Sequence, residues 1–149
     1  MINLRSYDQV VRIDLARSLL GRGIYWTTAY WLDGLLIDSG CAHTAGELNQ
    51  ALADRSVSLI VNTHSHEDHI GANASFQEAR DGLRILTHPL ALPTLANPPK
   101  VQPLQLYRKL VWGMPLPSTA EALQEGEWVV TNQYRLQVIY TPGHSADHI

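Results

Sequence analysis

The chain has 149 residues, 45% of them hydrophobic and 17% charged, with a formal net charge of −3 and a single cysteine. That length supports one domain with a core of its own. The charge balance disfavours a nucleic-acid surface built on bulk basicity, and one cysteine excludes a disulfide framework within the chain. No apolar run reaches membrane-spanning length, and Met1 to Asp8 lacks the apolar centre of a signal peptide, so no membrane partner is expected and the cytoplasm is the expected compartment.

In chain order, Gln9 to Leu15 alternates in polarity and predicts a strand. Gly21-Arg22-Gly23 predicts a loop. Ile24 to Leu32, rich in Tyr, Trp and Thr, predicts a second strand. Asp33-Gly34 is a strong hairpin signal, with Leu35 to Asp38 as the return strand. Thr44 to Ala53 predicts a helix, with Thr44 as N-cap and Glu47 three residues on as its capping-box partner. Val57 to Val61 predicts a buried strand, Asp68 to Arg80 a helix closed by Asp81-Gly82, and Leu83 to Thr87 another strand. Pro89, Pro93, Pro98, Pro99 and Pro103 then prevent any long helix. Lys100 to Pro117 has apolar residues at mixed spacing and admits two readings, an element lying over a functional site or a helix packed on the core. Glu127 to Val130 and Tyr134 to Tyr140 predict a hairpin around Thr131-Asn132-Gln133. Strands first, then strand and helix in alternation, predict an α+β fold with a mixed sheet and helices on one face.

The densest chemistry lies in Thr63-His64-Ser65-His66-Glu67-Asp68-His69, directly after the apolar run Leu59-Ile60-Val61. An extended segment points residues i and i+2 to the same side, so His64 and His66 can face one point. A helix starting near Asp68 would bring Asp68 and His69 to the same region from another direction. Imidazole nitrogen and carboxylate oxygen are ligands that zinc, iron and manganese accept. Asp38 ends an apolar strand, where a carboxylate is costly unless it is hydrogen-bonded. Its two readings are an acceptor that fixes a ligand histidine's ring and a turn residue capping Ser39-Gly40. His43, His88 and His148 read as packing or structural histidines, and Cys41 lacks the partners of a nucleophile. Trp112 is the tryptophan placed to touch a substrate.

His64-Ser65-His66-Glu67-Asp68-His69 resembles the His-x-His-x-Asp-His motif of the metallo-β-lactamase superfamily, and Thr141-Pro142-Gly143-His144-Ser145 resembles its second metal motif. Leu36 to Gly40, Gly71-Ala72-Asn73 and Gly126-Glu127 resemble the family's intervening turns, so the likeness spans roughly Val10 to Ile149. The resemblance implies a metallo-β-lactamase-like αββα sandwich, of which this chain supplies mainly the N-terminal αβ half. It implies that His64, His66 and His144 hold a first metal and that Asp68 and His69 begin a second site. It further implies a hydrolase that uses a metal-bound hydroxide on an ester, thioester, lactam or similar bond of a small-molecule substrate, with Asp68 orienting that hydroxide or taking its proton. The cofactor is then one or two zinc ions, with iron or manganese suited to the same ligands.

The family also supplies a bridging aspartate, usually in a Gly-Asp pair, and a final histidine from chain beyond the point matched by Ile149. The resemblance therefore implies a single domain over residues 1–149, truncated at its C-terminus, that binds one metal weakly or none and turns over little. Two other readings stand beside it. One is an RNA-processing nuclease of the same superfamily, which the low basic count disfavours. The other is a non-catalytic chain that associates through an unfilled sheet face. That face would carry alternate apolar or aromatic residues from Val10–Leu15, Tyr25–Leu32 and Tyr134–Tyr140. It predicts a homodimer or a missing C-terminal segment as its cover, unless Lys100–Pro117 folds over it.

Overall fold

Period-two alternation sorts the side chains of the strands onto two faces, and each face is met by a different part of the chain. The computed structural model describes residues 1–149. Seven strands form one sheet whose spatial order follows the chain: β1 (Ile2–Tyr7), β2 (Val10–Leu19), β3 (Arg22–Leu32), β4 (Leu35–Ile37), β5 (Leu59–Val61), β6 (Arg84–Thr87) and β7 (Glu121–Ala122). The first four pair antiparallel and the last three join parallel, so the sheet is mixed as expected. β8 (Trp128–Val130) and β9 (Arg135–Gln137) form the predicted hairpin as a separate two-stranded sheet.

Leu36, Ile60 and Ile85 are in register across β4, β5 and β6 and face one side. With Val11, Ile13, Leu15 and Ala29 they pack against Leu48 of α1 (Ala45–Ala51) and Leu52 just after it, Phe76 of α2 (Asn73–Ala79) and Leu95 of α3 (Leu92–Ala96). Phe76 is fully buried there, and its truncation to Ala would cost roughly 3–5 kcal/mol. Leu35, Val61 and Leu86 turn the other way and meet Val129 and Val138 from the β8–β9 region. This second core is incompletely closed. A groove of about 230 Å³ remains among Leu35, Ile37, Val61, Val138 and Ile149.

Several expectations are corrected. Ile2–Tyr7 is an edge strand that the sequence reading left unassigned. The expected loop at Gly21–Gly23 is a two-residue turn, Leu20-Gly21, with both φ angles positive. The Asp33-Gly34 hairpin has the same geometry, as its sequence predicts. Thr44 precedes α1 but does not cap it, because its hydroxyl donates to the carbonyl of Cys41. The predicted helix from Asp68 begins only at Asn73, because the His69 carbonyl is already taken. It accepts from Ser39 N at 2.8 Å and from Asn62 Nδ2, so it cannot enter a helical ladder.

The second sheet face is less apolar than expected over β2 and β3. There Arg12 and Thr28 both donate to Asp14, each at 2.8 Å. Lys100–Pro117 does not shield that face. Its α4 (Pro98–Val101) and α5 (Leu106–Trp112) are short, and α5 packs beside the histidine loop instead.

Candidate metal centre

The loop after β5 leaves the sheet between its two cores and is held from below by a buried polar layer. Ser39, Asn62 and Asn73 are all fully buried. Ser39 Oγ donates to Asn73 Oδ1 at 2.8 Å, and Asn73 Nδ2 donates to Asn62 Oδ1 at 2.7 Å. Gly71 is required by close approach, since a Cβ there would lie 2.2 Å from Ala42 N and 2.4 Å from Cys41 C.

Above this layer stands Asp38, itself 4% exposed and in the left-handed backbone region at φ 60°. Its carboxylate accepts from Thr63 N, Thr63 Oγ1 and His69 Nδ1, each at 2.8 Å. The Thr63 hydroxyl has one proton and spends it on Asp38. It therefore accepts from His64 Nδ1, 2.9 Å away, which leaves Nε2 of His64 with a free lone pair. That Nε2 lies 3.1 Å from Nδ1 of His66, and Nδ1 of His66 lies 3.1 Å from Nε2 of His144.

Three imidazole nitrogens from two distant loops thus lie within 4.8 Å of one another. The single proton that Nδ1 of His66 could carry serves at most one of its two neighbours. A divalent cation shared by all three lone pairs fits this donor set. The set runs from buried His64 through half-buried His66 to exposed His144, so it opens to solvent.

Burial, and then the neighbouring histidines, push His64 down to about 3. Burial, and then His144, lower His66 as well, against the opposing pull of Asp68 and Glu67. Both are held as neutral imidazoles, the form that binds metal. Burial also acts to lower His69, but the Asp38 hydrogen bond and the nearby carboxylates outweigh it, and the net shift is upward. His69 Nε2 faces Asp68 Oδ2 at 3.7 Å, beside the three-histidine cluster.

The second motif is fastened to the first by Asp147, which is 5% exposed. Its carboxylate accepts from Ser65 N at 3.0 Å and from the Ser145 hydroxyl. Ile149 N donates to Thr63 O at 2.9 Å. His148 stacks on His64 with ring centroids 5.0 Å apart and contacts Thr141 Oγ1 through Nδ1. His43 lies apart from the cluster, near Lys109 O. His88 accepts from Leu90 N and packs on Tyr140. Cys41 is buried against Thr44.

The sequence profile of the metallo-beta-lactamase superfamily matches residues 27–149. The chain belongs to the metallo-beta-lactamase superfamily. Solved structures agree on the fold of this superfamily member. A HARLDQ-motif mutant metallo-beta-lactamase from Cronobacter sakazakii has a TM-score of 0.72 at 19% identity, covering 95% of this chain and 55% of that one. A metallo-beta-lactamase family protein from Thermus thermophilus has a TM-score of 0.71 at 22% identity, with the same two coverages of 95% and 55%. The metallo-beta-lactamase MIM-1 from Novosphingobium pentaromativorans has 27% identity and a TM-score of 0.61, covering 93% of this chain and 47% of that one. The chain therefore spans about half the length of the solved structures it matches. No curated protein matches it.

The sequence reading did not single out Glu67, Thr63, Asn62, Asn73 or Asp147 as parts of this centre. Glu67 is the most telling of these. It sits inside the motif between His66 and Asp68, yet its side chain is only 1% exposed and pairs with Arg108 of α5. A carboxylate amid ligands was a visible signal; its partner 41 residues away was not.

Proposed function

We propose that this chain carries the first metal site of a metal-dependent hydrolase acting on an ester, thioester, lactam or similar bond of a small molecule. The observation that carries the reading is the convergence of His64 Nε2, His66 Nδ1 and His144 Nε2. Zinc is the cation this neutral nitrogen set suits, and iron and manganese accept the same ligands. Such a cation, when bound, supplies Lewis acidity, lowering the pKa of a coordinated water to roughly 7 and polarising a carbonyl oxygen.

The chain's own residues prepare for that chemistry. Thr63 holds the proton of His64 on Nδ1, so Nε2 stays available. Asp38 does the same for His69, whose Nε2 then points toward Asp68. Asp68 is assigned the role of accepting a proton from water, a reading its partly exposed side chain (26%) supports. Asp68 and His69 offer two ligands of a second site, too few for tight binding on their own. One cation per chain is the expected stoichiometry.

Metal uptake tests the reading directly. Zinc at 100 times its dissociation constant should stabilise the metal-free chain by about 2.7 kcal/mol. Elemental analysis should give one equivalent, lost in His144→Ala. A chain that takes up no zinc, or one whose uptake His144→Ala leaves unchanged, would overturn it.

A further inference from the structure

We propose that Arg108 is a positioning residue of the metal centre, acting through the buried carboxylate of Glu67 on the two residues that flank it, His66 and Asp68. The proposal rests on the metal reading above.

Glu67 is fully buried, although a carboxylate is among the side chains least suited to burial. Its hydrogen-bond partner is Arg108 alone, which donates from Nε to Oε1 at 2.5 Å and from Nη2 to Oε2 at 2.7 Å. A planar fork of this kind fixes the carboxylate in direction as well as in distance. The backbone around Glu67 has little freedom to absorb an error. His66 O accepts from both His69 N and Ile70 N, which closes residues 66–70 into a tight turn. A displacement of Glu67 is therefore passed to His66 and Asp68.

Arg108 is itself held from behind. Its guanidinium lies 5.8 Å from the centre of the Trp112 ring, and that ring packs edge-on against Tyr25 at 5.5 Å. Tyr25 has a positive φ of 52° and stands where the β2–β3 register shifts. A contact between His43 Nε2 and Lys109 O at 3.2 Å ties α5 down a second time. The fork thus reaches the metal loop from a braced helix.

A pair that merely fastened α5 to the domain would move stability and leave the metal site alone. The test separates the two roles. Arg108→Met, Arg108→Lys and Glu67→Gln are made in the full chain. Zinc affinity is measured by chelator competition, site geometry by the visible spectrum of the cobalt(II) form, and stability by melting of the metal-free form. Arg108→Met and Glu67→Gln should weaken zinc binding about tenfold or more and shift the cobalt bands. Arg108→Lys keeps the charge but loses the fork, and should recover only part of the affinity. Variants that melt lower yet bind zinc within about twofold of the unaltered chain, with unchanged cobalt bands, would overturn the proposal. If Arg108→Met fails to fold, Arg108→Lys and Glu67→Gln decide the question by the same readings. An unaltered chain that binds no zinc would sink the metal reading itself. Zinc binding that ignores Arg108 and Glu67 sinks only this inference.

Discussion

Replacing Asp38 by Asn should misset two histidines at once. Asn tolerates the left-handed backbone at this position, so the substitution changes charge and hydrogen bonding without adding strain. Its carbonyl oxygen can keep the bond from Thr63 N. Its amide nitrogen, in place of Oδ2, is a donor facing two donors, Thr63 Oγ1 and His69 Nδ1. Two hydrogen bonds to a charged acceptor are lost, each worth about 1.5–3 kcal/mol. The variant should lose about 3 kcal/mol or more, which for a chain of this size lowers the melting temperature by about 6–12 °C. The Thr63 hydroxyl then receives from Asn and turns its own proton toward His64 Nδ1. The imidazole proton of His64 moves to Nε2 and blocks the lone pair that faces His66. Zinc affinity should fall about 10- to 100-fold. Nitrogen-15 chemical shifts of the imidazoles report the tautomer, and chelator competition reports the affinity. A variant in which His64 stays protonated on Nδ1 and zinc affinity changes less than about threefold would refute the relay from Asp38 through Thr63.

Gly71→Ala should cost more than about 3 kcal/mol, because the added methyl meets backbone rather than a movable side chain. Gly46→Ala in α1, where nothing lies within 4 Å of an added Cβ, should instead raise stability by about 0.5–1 kcal/mol. Thermal melts check both, and a Gly71→Ala chain that melts like the unaltered one would refute the close approach of the two loops. In the metal-free chain, His64 and His66 are lowered on folding, so below pH 6.5 the unfolded state binds more protons. Their contribution is complete above pH 6.5 and is lost as pH falls, for His64 down to about 3. His69 is raised and acts oppositely, its contribution complete below 6.5 and lost as pH rises through its folded value. Below pH 6.5 only the two lowered groups still change, so the melting temperature should fall as pH drops from 6.5 toward about 4, less steeply in His64→Gln. A flat profile would show that these imidazoles are not held neutral.

What could be read from the sequence follows from the range of the interaction concerned. Strands with strict alternation and the Asp33-Gly34 turn are local signals, and they were legible to within a few residues. Ile2–Tyr7 was not, because as an edge strand it is almost wholly exposed and shows no buried face. The start of α2 differs from the expectation because what sets the helix register is tertiary, namely Ser39 N and Asn62 Nδ2 occupying the His69 carbonyl. His64 and His66 were legible through their i, i+2 spacing, and His144 through a resemblance of motif. The acceptor reading of Asp38 rested on the cost of burying a carboxylate, and its three donors match that argument. Glu67 with Arg108 and Ser65 with Asp147 are pairs 41 and 82 residues apart, for which no local pattern exists.

Because spatial order in the large sheet repeats chain order, each strand finds its neighbour already in place as the chain emerges during synthesis. The helical core, the Asp38 acceptor and the loop with His64 and His66 can all form on that advancing edge. His144 cannot join them until residues 141–149 double back, with Asp147 reaching Ser65 and Ile149 reaching Thr63. Capture of a cation by the complete nitrogen triad thus waits for that stage of assembly. A nascent chain released before that stage would expose His64 and His66 without their third partner, and would hold metal no better than an ordinary histidine pair.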